Sequence, residues 1–103
     1  INHLQPATLF LVLGIMKNKN LEEFLKPFGS KIHKLIAIKI PEEINAKEPE
    51  TICYTATKLK ISSTIASSIE NALDCIKKEE SILPKRILVT GSLYLVGQCL
   101  KLN

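Results

Sequence analysis

The residues best suited to chemistry in this sequence form a short turn near its carboxyl end. An apolar stretch at 86–89 is followed by Thr90, Gly91 and Ser92. Tyr94 lies two residues further along the chain. A helix that begins after such a turn offers free backbone N–H groups and its positive dipole end, which suit a carboxylate or a phosphate. Gly91 lets the backbone turn and a ligand approach closely. Ser92 can either donate to that anion or simply cap the helix, and the local sequence leaves both open.

A second candidate is a pair of lysines, Lys17 and Lys19, in the polar stretch that follows an apolar run at 8–15. An ammonium group is a compact point charge, so either lysine could neutralise a phosphate or a carboxylate at the edge of a sheet. A solvated loop is the alternative interpretation of the same residues.

The common catalytic and metal-binding patterns do not occur in the sequence. It contains neither G-x-x-x-x-G-K-[ST] nor G-x-G-x-x-G. His3 and His33 are far apart and Asp74 is the sole aspartate, which argues against a Ser–His–Asp triad. No Cys/His pairing suits zinc. We therefore predict no catalytic residue and no metal ligand in this chain, and we expect His33 to lie at the surface.

The composition is that of one ordinary folded domain. The chain has 103 residues, of which 46% are apolar and 23% charged, which is enough for one buried core. The net charge is +4, but the lysines are scattered and lack the arginines and aromatics of a nucleic-acid surface. The cysteines, Cys53, Cys75 and Cys99, are odd in number and widely spaced, which indicates reduced thiols. The longest apolar run, 9–13, is too short for a bilayer. We predict a cytoplasmic protein without nucleic-acid or membrane partners.

Apolar runs and helical patterns alternate along the chain, which predicts an α/β fold. The runs at 8–15, 34–40 and 86–91 are rich in Leu, Ile and Val, as is typical of parallel strands buried on both faces, and 60–66 predicts a short strand. We expect a mainly parallel sheet with helices on both faces. Ligands of such sheets bind beyond the carboxyl ends of the strands, where the turn and the two lysines would lie.

Local start signals mark the predicted helices. Asn20 suits an N-cap with Glu23 three residues later, Pro49 suits the first position of a helix, and Ser67 with Glu70 forms a capping-box pattern. The predicted helices cover 20–28, Pro49 to Leu59, the residues after Ser67 and the residues after Ser92.

Two stretches of the chain resemble one enzyme family. Residues 88–97 resemble the C-terminal signature of the folylpolyglutamate synthases, including the bifunctional dihydrofolate synthases, and residues 11–25 resemble a second stretch of that family. Both occur in the family's order and at about its separation. The family belongs to the Mur ligase superfamily, and its C-terminal domain is a Rossmann-like α/β unit. The resemblance implies that residues 1–103 are part of that domain, incomplete at its amino end, and that the central ATPase domain is absent.

The resemblance also implies a reaction and a set of roles. Family members use ATP, with Mg²⁺ held in the central domain, to phosphorylate a carboxylate of a dihydrofolate- or tetrahydrofolate-type substrate. The amine of L-glutamate then attacks this acyl phosphate, and the C-terminal domain closes over the nucleotide and holds the glutamate. By resemblance, Ser92 binds the glutamate α-carboxylate, Gly91 shapes the backbone and Tyr94 supports the pocket. Lys19 faces the glutamate side chain or the phosphates, and Lys17 lies near the phosphates.

The sequence departs from the family in two respects. The family's Asp-Gly-Ala-His-Asn-Pro stretch is not present, and Asn18 and Asn20 stand where the family usually has aspartates. We therefore expect this chain to be inactive alone and to bind neither ATP nor Mg²⁺ by itself. Loss of the strand and helix that the missing stretch supplies would expose apolar surface, which predicts self-association or docking on another chain. The alternative function is a non-catalytic α/β binding or interaction module, a remnant of such a ligase.

Overall fold

The computed structural model describes residues 8–90, which form a parallel β-sheet with helices on both faces. The elements in chain order are β1 (Thr8–Leu13), α1 (Leu21–Leu25), a 3-10 helix (Gly29–Lys31), β2 (Ile32–Ala37), α2 (Pro49–Lys58), β3 (Ser63–Ile65), α3 (Ile69–Lys78) and β4 (Lys85–Thr90). The alternation of strands and helices is the predicted one, and the predicted fold class is confirmed. The helix predicted after Ser92 lies outside the described residues.

The sheet has four strands in the order β3-β2-β1-β4, and every neighbouring pair is parallel. β1 is central, with Leu11 opposite Leu35 of β2 on one side and opposite Leu88 of β4 on the other. The last four residues of β1 are buried without alternation, because helices cover both faces of this strand. This burial is the physical origin of the continuous apolar runs in the sequence.

Two separate apolar layers sandwich the sheet. One face carries Leu11 and Leu35 and packs against α1 and α2. The opposite face carries Phe10 and Ile36 and packs against α3. The chain crosses the sheet in one direction from β1 through β2 to β3. The connection through α3 then runs in the opposite direction, from β3 past β1 to β4. Crossovers of one hand therefore place α3 on the other face.

The structure confirms two of the predicted helix starts and corrects the third. The Asn20 side chain accepts a hydrogen bond from the Glu23 backbone N–H at 3.0 Å, and Pro49 opens α2. The predicted cap Ser67 is wrong: Ser68 caps α3 and accepts from the Asn71 N–H at 3.0 Å. Ser68 has the extended backbone of a cap, with φ −164° and ψ 170°. Asn71 therefore takes the third helical position, and a capping box with Glu70 does not form.

The apolar runs extend beyond the carboxyl ends of the first two strands. β1 ends at Leu13 rather than at residue 15, and β2 covers Ile32–Ala37 rather than 34–40. Ile15 and Ile38 lie beyond the ends of the two strands but remain buried. Apolar residues report burial, which continues into the loops, so they do not mark where strand pairing stops.

β4 is less covered than the other long strands. Ile87 and Leu88, which point to opposite faces of the sheet, are 41% and 40% exposed, and Ile82 just before the strand is fully exposed. Within residues 8–90, β4 pairs with β1 alone, so its outer edge has no partner strand there. No helix in this part of the chain is long and apolar enough to cross a membrane.

Candidate functional site at the carboxyl edge of the sheet

Two hydrogen bonds hold the carboxyl ends of β1, β2 and β4 side by side, each from the first residue after one strand to the last residue of its neighbour. The Gly14 N–H donates to the Thr90 carbonyl at 3.3 Å, and the Ile38 N–H donates to the Leu13 carbonyl at 3.0 Å. Thr90 is the residue directly before Gly91. Thr90 therefore lies next to Gly14, at the start of the loop that carries the two candidate lysines.

A two-stranded strap crosses this edge, formed by residues 15–17 of the loop after β1 and residues 45–47 of the loop after β2. Met16 and Ala46 form an antiparallel bridge. The Lys17 N–H donates to the Asn45 carbonyl at 2.7 Å, and the Lys47 N–H donates to the Ile15 carbonyl at 2.8 Å. Ala46 is fully buried, so the small side chain lets the two segments close over the core. The strap fixes the backbone of Lys17 against the sheet.

The side chains of Lys17 and Lys19 are exposed at the edge that the strap covers. The Lys19 N–H donates to the Met16 carbonyl at 3.2 Å, which closes a turn, and the next residue, Asn20, caps α1. Both ammonium groups therefore extend from a loop whose backbone is tied down at each end. The loop that carries Lys17 and Lys19 begins at Gly14, next to Thr90, and then pairs with the loop after β2.

Two further charged residues of this edge were not identified from the sequence. The Lys39 Nζ forms an ion pair with the Glu48 carboxylate at 2.8 Å. The hydrogen bond from Lys39, and next its positive charge, lower the pKa of Glu48 below its ordinary value. Burial opposes this shift, and the charge of Lys17 adds the smallest part of the lowering. Only the folded chain shows that Lys39, in the loop after β2, pairs with Glu48 at this edge.

An open hollow of about 530 Å³ adjoins the strap at the carboxyl ends of β2 and β3. Its lining combines the Lys39 ammonium with the carboxylates of Glu42 and Glu43, and Ser67 closes one side. Because the charges in this hollow are mixed, it favours an anion less than the loop of Lys17 and Lys19 does.

The structure tests only some of the other residues that the sequence analysis singled out. Gly91, Ser92 and Tyr94 lie outside the described residues, so their roles stay predictions. His33 is exposed, as expected, with its Nε2 3.7 Å from a Glu79 carboxylate oxygen at the opposite end of the sheet. Within residues 8–90, no group of three or more His, Cys, Asp or Glu side chains is placed to hold a metal ion.

Solved structures with the same fold are known. Folylpolyglutamate synthase of Mycobacterium tuberculosis, complexed with ADP and AMPPCP, superposes with a TM-score of 0.78 at 16% identity, over 92% of this chain and 23% of that chain. Folylpolyglutamate synthase of Thermotoga maritima superposes with a TM-score of 0.68 at 26% identity, over 92% of this chain and 21% of that chain. This chain thus spans less than a quarter of the length of these enzymes.

A family model covers almost the whole sequence. The model described as "Dihydrofolate synthetase, C-terminal domain" matches residues 2–102. Among curated proteins, none matches this chain. The match includes both stretches that carry the sequence resemblance, and the fold agrees with it. The chain therefore belongs to the family of dihydrofolate synthetase C-terminal domains.

Proposed function

We propose that this chain is the glutamate-binding part of an ATP-dependent ligase that adds L-glutamate to a dihydrofolate- or tetrahydrofolate-type substrate. The observation that carries the proposal is the arrangement at the carboxyl edge of the sheet. There the loop of Lys17 and Lys19 begins beside Thr90, which leads directly into Gly91 and Ser92. The two exposed ammonium groups suit a ligand with carboxylates, and Ser92 is proposed to add a hydroxyl donor to the same site.

In the proposed reaction, the acceptor carboxylate first receives the γ-phosphoryl group of ATP and becomes an acyl phosphate. The amine of glutamate attacks the acyl carbon, the amide bond forms, and inorganic phosphate leaves. Ser92 donates a hydrogen bond to the glutamate α-carboxylate, on a backbone shaped by Gly91 and supported by Tyr94. Lys19 neutralises the charge of the glutamate side chain or of the phosphates, and Lys17 lies near the phosphates. Holding the amine close to the acyl carbon lowers the entropic part of the barrier.

The rest of the catalytic machinery is proposed to lie in a central ATPase domain, which supplies the sites for ATP and Mg²⁺ and against which this domain closes. Relatives solved with ADP or AMPPCP support nucleotide use by the complete enzymes. The chain alone is therefore proposed to be inactive and to bind neither ATP nor Mg²⁺. The exposed Ile87 and Leu88 on β4 support the expectation that the isolated chain self-associates or docks on another chain.

A non-catalytic binding module is the second candidate function. Asn18 and Asn20 replace aspartates of the family pattern, and the Asn20 side chain accepts the hydrogen bond that caps α1. This residue therefore has a structural role that accounts for its presence without any ligand.

A titration of the chain with L-glutamate, followed by NMR at the amides of Gly91, Ser92 and Leu93, tests the proposal. We expect saturable shifts that Ser92→Ala abolishes. Ser30→Ala is the matched control, because Ser30 is exposed in the 3-10 helix before β2, at the other end of the sheet. A folded chain that shows no shift at millimolar glutamate would contradict the glutamate-binding role and favour the module.

A further inference from the structure

Lys47 makes two contacts with the loop that carries the candidate lysines. Its backbone N–H donates to the Ile15 carbonyl at 2.8 Å, and its Nζ donates to the Lys17 carbonyl at 3.3 Å. These acceptors lie on either side of Met16, which pairs with Ala46 in the strap. One residue from the loop after β2 thus holds the segment that leads to Lys17 at two points.

The held segment is short and begins beside Thr90, the residue that precedes Gly91 in the chain. Gly14 donates to Thr90, and Lys17 follows Gly14 by three residues. Lys17 therefore belongs to the segment that the two contacts of Lys47 hold. Fixing it before a ligand arrives removes an ordering cost from binding, so the two contacts of Lys47 favour affinity for an anion.

The ammonium group of Lys47 has different surroundings from that of Lys39, which lies in the same loop. Lys39 is paired with Glu48, whereas none of the ion pairs in residues 8–90 includes Lys47. The Lys47 ammonium has three N–H donors, and the Lys17 carbonyl uses one of them. Its positive charge therefore adds to that of Lys17 at this edge.

We propose that Lys47 is a positioning residue that holds the Lys17 loop in the conformation that receives a carboxylate or phosphate. This inference rests on the proposed function. Lys47 acts through the backbone of Lys17, and the ligand class follows from the ammonium groups that the loop presents. The sequence alone does not identify this role, because thirty positions separate the two lysines.

The test compares Lys47→Met, which keeps most of the apolar stem, with Lys47→Arg, which keeps a charged donor. Lys31→Met is the control, because Lys31 is exposed at the opposite end of the sheet, just before β2. Each variant is titrated with L-glutamate and, separately, with inorganic phosphate, and the amides of Met16, Lys17 and Gly91 are followed by NMR. The core resonances of Leu35 report that each variant is folded.

We expect Lys47→Met to weaken anion binding about fivefold, the effect of one hydrogen bond from a charged donor at a partly exposed site. It should also shift the Met16 and Lys17 amides before any ligand is added. Lys47→Arg should restore affinity to within about twofold, and Lys31→Met should change neither quantity.

The outcomes separate this inference from the proposed function. If the wild-type chain binds glutamate and Lys47→Met binds it equally well, Lys47 does not position the loop and the proposed function stands. If the wild-type chain binds neither anion, the proposed function fails. The anion-receiving role of Lys47 then fails with it, whereas a chain that binds phosphate but not glutamate contradicts the proposed function alone.

Discussion

Replacement of Ser68 by alanine should destabilise the protein, whereas the same change at the adjacent Ser67 should not. The Ser68 side chain accepts the N–H of Asn71 at 3.0 Å and so satisfies one of the free donors at the start of α3. α3 contributes Ile69, Ala72 and Ile76 to the core on its face of the sheet, so fraying of its first turn also loosens packing. Ser67 is exposed and precedes the cap.

The expected size of the effect follows from the cap. Loss of an N-cap costs about 1 kcal/mol of the free energy of unfolding. The entropy of unfolding of a chain this long is roughly 0.2 kcal/mol per degree, so Ser68→Ala should lower Tm by about 5 °C. An exposed substitution without such a contact stays within about 0.5 kcal/mol, which places Ser67→Ala within about 2 °C of wild type.

Thermal unfolding followed by far-UV circular dichroism, with urea unfolding as a second measurement, gives both values on one scale. Ser68→Asp serves as a further control, because a carboxylate can cap the helix and also interacts favourably with its dipole. Its Tm should equal or exceed that of the wild type. A larger loss at Ser67 than at Ser68 would refute the structural assignment and restore the cap that the sequence pattern predicted.

Two further predictions concern the packing of the core and the loss of stability at acid pH. Leu35→Ala should cost about 2–5 kcal/mol in urea unfolding, because Leu35 is completely buried beside β1, whereas Ile82→Ala, at a fully exposed side chain, should be close to neutral. The hydrogen bond from Lys34 lowers the pKa of Glu79 below its ordinary value of 4.5, with smaller contributions from the charges of Lys34 and His33 against the opposing effect of burial. The stability that this carboxylate contributes is therefore present above pH 4.5 and is lost as the pH falls through the lower pKa of the folded state. Between about pH 5 and pH 3, the free energy of unfolding should fall less for Lys34→Met than for the wild type. Urea unfolding at a series of pH values measures this fall, and equal falls for the two proteins would contradict the prediction.

Much of the fold could be predicted because its signals are local. The buried runs at 8–15 and 34–40 predicted β1 and β2, Pro49 marked the start of α2, and Asn20 marked the start of α1. Each signal lies within a few residues of the feature that it predicts, so no knowledge of distant contacts is needed. The same locality explains the error at α3, where two adjacent serines carry the same capping chemistry.

The candidate site also has a part that could be predicted from the sequence and a part that only the structure shows. The sequence alone determined that two lysines follow the first strand, and that Gly91 and Ser92 follow the residues of the last. The carboxyl ends of parallel strands meet at one edge of a sheet, which is why both places were predicted to adjoin the site. It also carried the motifs by which the chain resembles its family. These statements depend on residue type and order, which are written directly in the chain.

Only the tertiary structure decided how the loops at that edge contact one another. The strand order β3-β2-β1-β4 places β4 beside β1, and hence Thr90 beside Gly14. The pairing of Met16 with Ala46, and of Lys47 with the Lys17 carbonyl, joins residues thirty positions apart. Such contacts form because packing of the whole sheet brings the loops together, and no local pattern of residues specifies which partner each polar group will find.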